Sequence, residues 1–139
     1  MKIVELTEEH LARLALLPAQ ASIGACLSDI GYAKELCGYE SFAGLEEGRI
    51  VCASGIVPTW RGSNVAWALL SAMSMRTMVE LTHAVKTWLG DYDGRLETWV
   101  DARHPGHVRW AEKLGFEREG LMRKFLPDGG DAFLYARVN

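Results

Sequence analysis

The sequence is poor in the residues that build disulfide frameworks and zinc sites. It has three cysteines, Cys26, Cys37 and Cys52, and they show no paired spacing. An odd number of cysteines without paired spacing argues against a disulfide framework and against a four-cysteine zinc site. The simplest interpretation is reduced thiols that pack as small hydrophobic side chains, so we expect a cytoplasmic protein without a bound metal.

Long apolar runs are missing as well. No segment approaches the roughly 20 apolar residues that a membrane-spanning helix needs. The first six residues, MKIVEL, lack the apolar core of a secretion signal. We therefore expect no membrane partner.

The sequence also lacks an excess of positive charge. Lys and Arg number 15 against 18 Asp and Glu, which gives a formal net charge of −3. A nucleic-acid-binding domain normally carries a basic face, so no nucleic-acid partner is expected. Arg118, Arg123 and Lys124 form either a local basic patch or a solvated strand face, and we prefer the second interpretation.

What is present is the pattern of an α/β protein. The 139 residues suit a single domain over residues 1–139, without repeats or linkers. Thr7 precedes Leu11, Leu14 and Leu17 at helical spacing, which predicts a helix that Pro18 ends. A second helix is predicted over residues 22–37. Strands are predicted over residues 40–45, 49–57 and 65–71, with a break from Pro58 to Asn64.

The second half of the chain predicts a strand–helix–strand unit and further strands. The T-x-x-E pattern of Thr77 and Glu80 resembles a capping box and predicts a helix from residue 77 to Gly90. A strand follows over residues 95–101. Pro105 suits the start of another helix, and Gly115 suits its left-handed end. Strands over residues 116–125 and 132–138 complete one α/β domain with a mixed sheet.

The segment RWAEKLGFEREG, residues 109–120, resembles the end of the acyl-CoA-binding core of GNAT N-acetyltransferases. The resemblance covers the chain from about Arg49 onward and implies a GNAT-like (acyl-CoA N-acyltransferase) fold, a mixed central sheet with helices on both faces. The segments AWALLS and VDARHPGHVRWAEKLGF also resemble GNAT-like proteins of tailed phages, some of them virion components.

The resemblance implies an acyl-CoA site between two parallel strands that splay apart, here residues 65–71 and 96–101. In the family, backbone groups of the first strand pair with the pantetheine arm, and the diphosphate lies on amides at the start of the next helix, where the helix dipole favours an anion. Acetyl-CoA is the implied co-substrate. The implied binding residues are Leu69, Leu70, Ser71, Ser74, Met75, Arg76 and Thr77.

The sequence departs from the family pattern in the diphosphate loop. The family has Q/R-x-x-G-x-G/A there, whereas this chain has SAMSMR over residues 71–76. Glycines let a backbone approach phosphates closely, and Met73 and Met75 add bulk instead. Arg76 either contacts a phosphate or is a solvated arginine near a helix start.

Two further departures concern the chemistry. A family tyrosine that protonates the leaving thiolate corresponds to Ala111, leaving water, Tyr92 or Tyr135 as substitutes. His104 occupies the place of a common asparagine and, like Glu97 and Asp101, is a candidate general base. His104 and His107 form H-x-x-H, but further ligands are missing from the sequence, so a metal pair is disfavoured.

Two functions follow from these residues. The first is acyl-CoA-dependent transfer of an acyl group directly to an amine, on an unknown small-molecule or protein acceptor. The second is a non-catalytic GNAT-like structural or interaction protein with a degenerate CoA site, in a phage particle for instance. A homodimer through the C-terminal edge of the sheet is a further expectation.

Overall fold

The structure is a computed structural model, and it describes residues 1–21 and 32–139. The predicted second helix falls largely outside this part of the chain. Its described portion is helical from Tyr32 to Cys37. Cys26 also lies outside the described residues, while Cys37 and Cys52 are free thiols.

The described elements alternate as the α/β pattern predicts, with one additional strand at the start. In chain order they are β1 (Lys2–Glu5), α1 (Glu8–Arg13), a 3-10 turn (Pro18–Gln20), α2 (Tyr32–Cys37), β2 (Ser41–Glu46), β3 (Arg49–Trp60), β4 (Ser63–Leu70), α3 (Met75–Gly90), β5 (Arg95–Asp101), α4 (Pro105–Lys113), β6 (Glu117–Met122) and β7 (Ala132–Val138).

The described strands form one seven-stranded sheet in the order β1-β2-β3-β4-β5-β7-β6. β4 and β5 are parallel, whereas β1 with β2, β2 with β3, β5 with β7 and β6 with β7 are antiparallel. The predicted mixed sheet is therefore confirmed. The C-terminal strand β7 lies inside the sheet, so a dimer formed by strand pairing at this end would use β6.

The chain groups into two compact units, Met1–Val57 with Trp67–Leu81, and Pro58–Ala66 with Thr82–Asn139. Whether they act as a single domain stays a prediction. No helix in the described ranges is long and apolar enough to cross a membrane.

The first unit is built around an apolar core under β1, β2 and β3. Its buried members are Leu6, Leu11, Leu14, Leu36, Ala43, Ile50, Ala53 and Leu69. β1 pairs with β2 from Lys2↔Leu45 to Glu5↔Phe42. Three of the four β1 residues are exposed, so β1 has no alternation of apolar and polar residues that would have predicted it.

Helix α1 begins where the sequence predicts and ends earlier. The Thr7 hydroxyl accepts a hydrogen bond from the His10 amide at 3.3 Å, and the Thr7 amide donates to His10 Nδ1 at 3.0 Å. This reciprocal pair satisfies two helix-end donors. The chain leaves the helix at Leu14, which is extended. The prediction of helix up to Pro18 was too long, because Leu14 is buried from an extended segment.

The hairpin between β3 and β4 is tighter than predicted. β3 continues through Pro58 to Trp60, and the turn is Arg61-Gly62. Gly62 has φ +86°, a conformation that favours glycine. Placing a break at Pro58 was wrong. Pro58 lies in the exposed end of β3, where a missing N–H is tolerated.

The second unit is organised by β5. Its ladder with β4 has three pairs, from Ser63↔Arg95 to Val65↔Glu97, whereas its ladder with β7 has seven, from Arg95↔Val138 to Asp101↔Ala132. β5, α4 and β7 begin where the sequence predicts. β6 is shorter than predicted and ends at Met122, because Lys124 lies in a turn with φ +53°.

Candidate functional site

The predicted pantetheine-binding strand, β4, has two edges that differ in their partners. The Ser71 amide, just after β4, donates to the Val51 carbonyl in β3 at 2.8 Å. Successive residues of an extended chain turn their backbone groups to opposite edges. Ala68 and Leu70 therefore turn their N–H and C=O groups to the edge opposite β3.

The groups on that opposite edge have intramolecular partners. The Gln20 carboxamide donates to the Ala68 carbonyl at 3.0 Å and accepts from the Leu70 amide at 2.7 Å. The Leu17 amide donates to the Leu70 carbonyl at 3.0 Å. The segment from Leu17 to Gln20 thus satisfies three consecutive polar groups of β4, as a neighbouring strand would. Leu69, between them, is buried in the core.

At the junction after β4, Ser71 and Arg49 are joined by a hydrogen bond. Ser71 is buried, and its hydroxyl accepts from the Arg49 guanidinium at 3.4 Å. A second guanidinium nitrogen of Arg49 lies 3.6 Å from a Glu46 carboxylate oxygen. The amide of Ser71 is already bonded to Val51. Arg49 brings a cation to the junction that sequence reasoning did not assign to the site.

Helix α3 begins two residues before the predicted start, and its cap is Ser74. The Ser74 hydroxyl accepts from the Thr77 amide at 3.2 Å and donates to the Thr77 hydroxyl at 3.0 Å. The proposed capping box of Thr77 and Glu80 was therefore wrong. The S-x-x-T pattern that begins three residues upstream caps the helix instead, because Ser74 reaches the third amide of the helix.

A carboxylate lies at the start of α3. Both Glu46 oxygens accept from the Ser74 amide, at 3.2 and 3.3 Å. Hydrogen bonding from Ser74, supported by Arg49, lowers the pKa of Glu46, so this group is ionised at neutral pH. The helix start, which favours an anion, holds one from the chain itself.

The outer residues of the α3 start are exposed. Met75 is 79% exposed. Arg76 pairs with Glu80 at 3.3 Å, and Glu80 also accepts from the Met1 ammonium at 2.8 Å. First-turn amides of a helix have no intrahelical acceptor, and those of Met75 and Arg76 follow this rule. They remain candidates for an anionic ligand.

Glu97, one of three predicted bases, belongs to the second unit and is part of an ion-pair network. Its carboxylate accepts from Arg95 Nε at 2.9 Å, and Arg95 also donates to both oxygens of Glu119. The Glu97 carboxylate is thus already paired with an arginine of the same strand. These contacts favour a structural, solvent-facing role of Glu97 over a role as general base.

His104, the second predicted base, lies beside the buried carboxylate of the third, Asp101. Its Nε2 atom is 3.6 Å from an Asp101 oxygen, and its side chain is 36% exposed. Asp101 also accepts from the Arg103 amide and guanidinium, which lower the pKa of Asp101. A carboxylate on one side of an imidazole helps to orient the ring.

His107 lies near His104, with ring centroids 5.5 Å apart. Burial, together with the neighbouring His104, lowers the pKa of His107, so it is neutral at pH 7. Within the described residues there is no group of three His, Cys, Asp or Glu side chains arranged to hold a metal ion.

Ala111 stands where the family has a tyrosine, and the aromatic residues Trp110 and Tyr135 have hydrogen-bond partners within the chain. Ala111 is buried. Tyr135 is fully buried, and its hydroxyl accepts from Arg118 Nε at 3.1 Å and donates to Glu112 at 3.4 Å. Trp110 donates to the Thr82 hydroxyl at 2.9 Å. A fully buried, bonded Tyr135 is a poor proton donor to a substrate, so water and Tyr92 stay the predicted alternatives.

Sequence reasoning missed Gln20, Glu46 and Arg49. Gln20 is far from β4 in sequence, and Glu46 lies just ahead of a turn where acidic residues are common. Their contacts depend on how the chain folds back on β4, which no local pattern encodes. The predicted residues from Leu69 to Thr77 do adjoin in the first unit, whereas Glu97 and His104 belong to the second.

No protein-family model matches the chain, and no curated protein matches it by sequence. Solved structures do match. Ard1 from Thermoplasma volcanium superimposes with a TM-score of 0.73 at 15% identity, covering 99% of this chain and 96% of that one. A ribosomal-protein-alanine N-acetyltransferase from Brucella melitensis gives 0.68 at 15%, covering 100% of both chains.

A GNAT superfamily phosphinothricin acetyltransferase from Sinorhizobium meliloti, in complex with AcCoA, gives a TM-score of 0.64 at 15% identity, covering 98% of this chain and 86% of that one. Matches at this identity establish the fold and leave the activity open. The seven-stranded order and the full-length superpositions together show that this chain has the fold of the GNAT acetyltransferases.

Proposed function

We propose that this chain binds an acyl-CoA, with acetyl-CoA as the first candidate, and transfers the acyl group to an amine. The observation that carries the proposal is the β4–α3 junction on a GNAT fold. β4 turns backbone groups of Ala68 and Leu70 to one edge and leads into the first-turn amides of α3. An extended amide chain ending in a diphosphate matches these two features in order.

The charges near the junction support the binding of a diphosphate. Arg49 contacts Ser71 at the end of β4, and Arg76 is 90% exposed on the first turn of α3. Guanidinium groups form strong charge-assisted hydrogen bonds with phosphate oxygens. Together with the amides of Met75 and Arg76, they offer positive partners where glycines are missing from the loop.

The transfer itself requires few groups. The amine nitrogen attacks the thioester carbonyl carbon, the carbon–sulfur bond breaks, and the thiolate leaves. His104 is the candidate that takes the proton from the attacking amine, because Asp101 stabilises the imidazolium that forms. With Ala111 in place of a tyrosine, water is the candidate that returns a proton to the thiolate.

A non-catalytic GNAT-like module is the second candidate, and the occupied junction favours it. Gln20 and Glu46 already bind the groups that a ligand would use, and Tyr135 is buried. No observation links the chain to a phage particle. The cytoplasmic location and the nature of the acceptor, a small molecule or a protein, stay proposals.

Calorimetric titration with acetyl-CoA, with dephospho-CoA and buffer as controls, tests the proposal. Saturable binding, followed by release of free thiol in the presence of a panel of amines, is the expected result. Binding without thiol release on any amine would favour the non-catalytic module. An absence of both heat and thermal stabilisation at millimolar acetyl-CoA would contradict the proposed function.

A further inference from the structure

We infer that Gln20 and Glu46 are intramolecular competitors of the acyl-CoA and hold its site in a closed state. The Gln20 carboxamide takes the strand-edge groups that an amide of the pantetheine arm would take. The Glu46 carboxylate takes the helix start that a phosphate would take. The inference rests on the proposed function and extends it to regulation of the same site.

The Gln20 contact has the geometry of a strand partner. A primary carboxamide has a donor and an acceptor side by side, as a backbone peptide does across a ladder. Gln20 uses both on one edge of β4, with the Ala68 carbonyl at 3.0 Å and the Leu70 amide at 2.7 Å. An incoming amide ligand needs the same two groups, so the two cannot bind together.

The segment that carries Gln20 is weakly held. Pro18–Gln20 form a single 3-10 turn without a side-chain cap and without a buried residue. Next to this turn, the Leu17 amide donates to the Leu70 carbonyl of β4. Segments with few buried apolar contacts open at low free-energy cost, so this turn can yield to a ligand.

The Glu46 contact has the chemistry of a bound anion. Both carboxylate oxygens accept from the Ser74 amide, and Arg49 lies 3.6 Å from one of them. A diphosphate brings more negative charge and more acceptor oxygens to the same cations and amides. The Glu46 carboxylate repels the diphosphate as long as it stays at the Ser74 amide. Once the Glu46 side chain has moved away, Arg49 is free to pair with a phosphate.

The expected consequence is a weakened affinity that mutation can restore. When only a fraction of molecules has an open site, the apparent dissociation constant rises in inverse proportion to that fraction. Removing a competitor raises the open fraction without adding a contact to the ligand. Gln20→Ala and Glu46→Gln should therefore bind acetyl-CoA more tightly than the wild type.

The test is calorimetric titration of the wild type, Gln20→Ala, Glu46→Gln and the double variant with two ligands. Acetyl-CoA has both the pantetheine arm and the diphosphate, whereas ADP has the diphosphate alone. We expect each single variant to bind acetyl-CoA about fivefold more tightly, and the double variant more tightly still. ADP affinity should rise in Glu46→Gln and stay unchanged in Gln20→Ala.

Glu47→Gln is the matched control. Glu47 is exposed in the turn after β2, so this change removes the same charge without touching α3, and its affinities should equal those of the wild type. Thermal unfolding without ligand checks that each variant is folded. If Glu47→Gln gained as much affinity as Glu46→Gln, the gain would come from the change in net charge alone, and the inference would be overturned.

The remaining outcomes separate the inference from the proposed function. If all proteins bind acetyl-CoA equally, the function stands and the inference is wrong. If none binds acetyl-CoA but Glu46→Gln gains ADP affinity, Glu46 does hold the anion position while the proposed function fails. If no variant gains affinity for either ligand and none binds acetyl-CoA, both are overturned.

Discussion

The starts of α3 and α4 differ in how their free amides are used. At α3, the Ser74 hydroxyl caps the Thr77 amide, and Glu46 brings a carboxylate to the Ser74 amide. At α4, His104 precedes Pro105 and makes no side-chain cap bond. Proline has no N–H, so α4 offers an anion one donor fewer. The α3 start is therefore the better anion site, and a carboxylate of the chain itself, that of Glu46, already occupies it.

A helix start can satisfy its donors by different means. α3 uses polar side chains that a competing anion can replace. The segment before α4 is instead fixed by Asp101, a buried carboxylate bonded to the Arg103 amide and side chain. The first arrangement suits exchange with a ligand, and the second suits a fixed geometry around His104.

The largest expected effect is that of His104→Ala on turnover. If His104 accepts the proton of the attacking amine, its loss should lower the rate roughly 100-fold. Stability should change little, because His104 makes no cap bond. Steady-state assays of thiol release at several pH values measure the rate. His83→Ala, an exposed histidine on α3, is the control; equal activities of the two variants would exclude His104 as the base.

Asp101→Ala should have the largest effect on stability. The Asp101 side chain is 6% exposed, and its removal leaves the Arg103 amide without its partner. Loss of a buried, charge-assisted hydrogen-bond acceptor costs about 2–3 kcal/mol. Urea unfolding followed by tryptophan fluorescence measures the change. Asp128→Ala removes an exposed partner of the same arginine and should cost well under half as much.

Lowering the pH tests how much the ionised Asp101 carboxylate stabilises the native protein. Hydrogen bonds from Arg103 lower the pKa of Asp101 in the native protein. A depressed native pKa means that the stabilisation is complete above the unfolded value, about 3.9, and is lost as the pH falls through the native value. The wild type should therefore lose stability more steeply than Asp101→Asn between about pH 4 and pH 2. Parallel curves would contradict this role of Asp101.

Ser74→Ala should cost about 1 kcal/mol, the usual value for an N-cap. Its hydroxyl satisfies the Thr77 amide, whereas His104→Ala at the other helix start should leave stability almost unchanged. The two changes in urea midpoint therefore compare the two helix starts directly. If both variants lose the same stability, α3 and α4 do not differ in capping.

The sequence predicts the elements of this fold well where the periodicity is strong. β5, with buried Leu96 and Val100, and α4, between Pro105 and Gly115, have the predicted bounds or nearly so. β1 was missed because its residues are exposed and its stability comes from pairing with β2. Local patterns carry no information on such pairing.

The site was less predictable than the fold. Family spacing led to the residues from Leu69 to Thr77, but their partners lie elsewhere in the chain. Gln20 reaches β4 from 50 residues before Leu70, and Glu46 reaches Ser74 across 28 residues. Side-chain contacts over such separations depend on the tertiary fold, so the sequence indicates where a ligand could bind and not what already occupies the place.

Arg76→Ala should have the smallest effect, about two- to threefold weaker acetyl-CoA binding at low salt. The Arg76 side chain is 90% exposed and forms an ion pair with Glu80. Solvent and this ion pair therefore weaken its attraction for a phosphate. The loss should vanish in 0.5 M salt, because screening suppresses exposed charge pairs. Arg109→Ala, on the exposed surface of α4, controls for net charge. An Arg76→Ala affinity equal to that of the control would show that the α3 start attracts its anion through amides and Arg49, without Arg76.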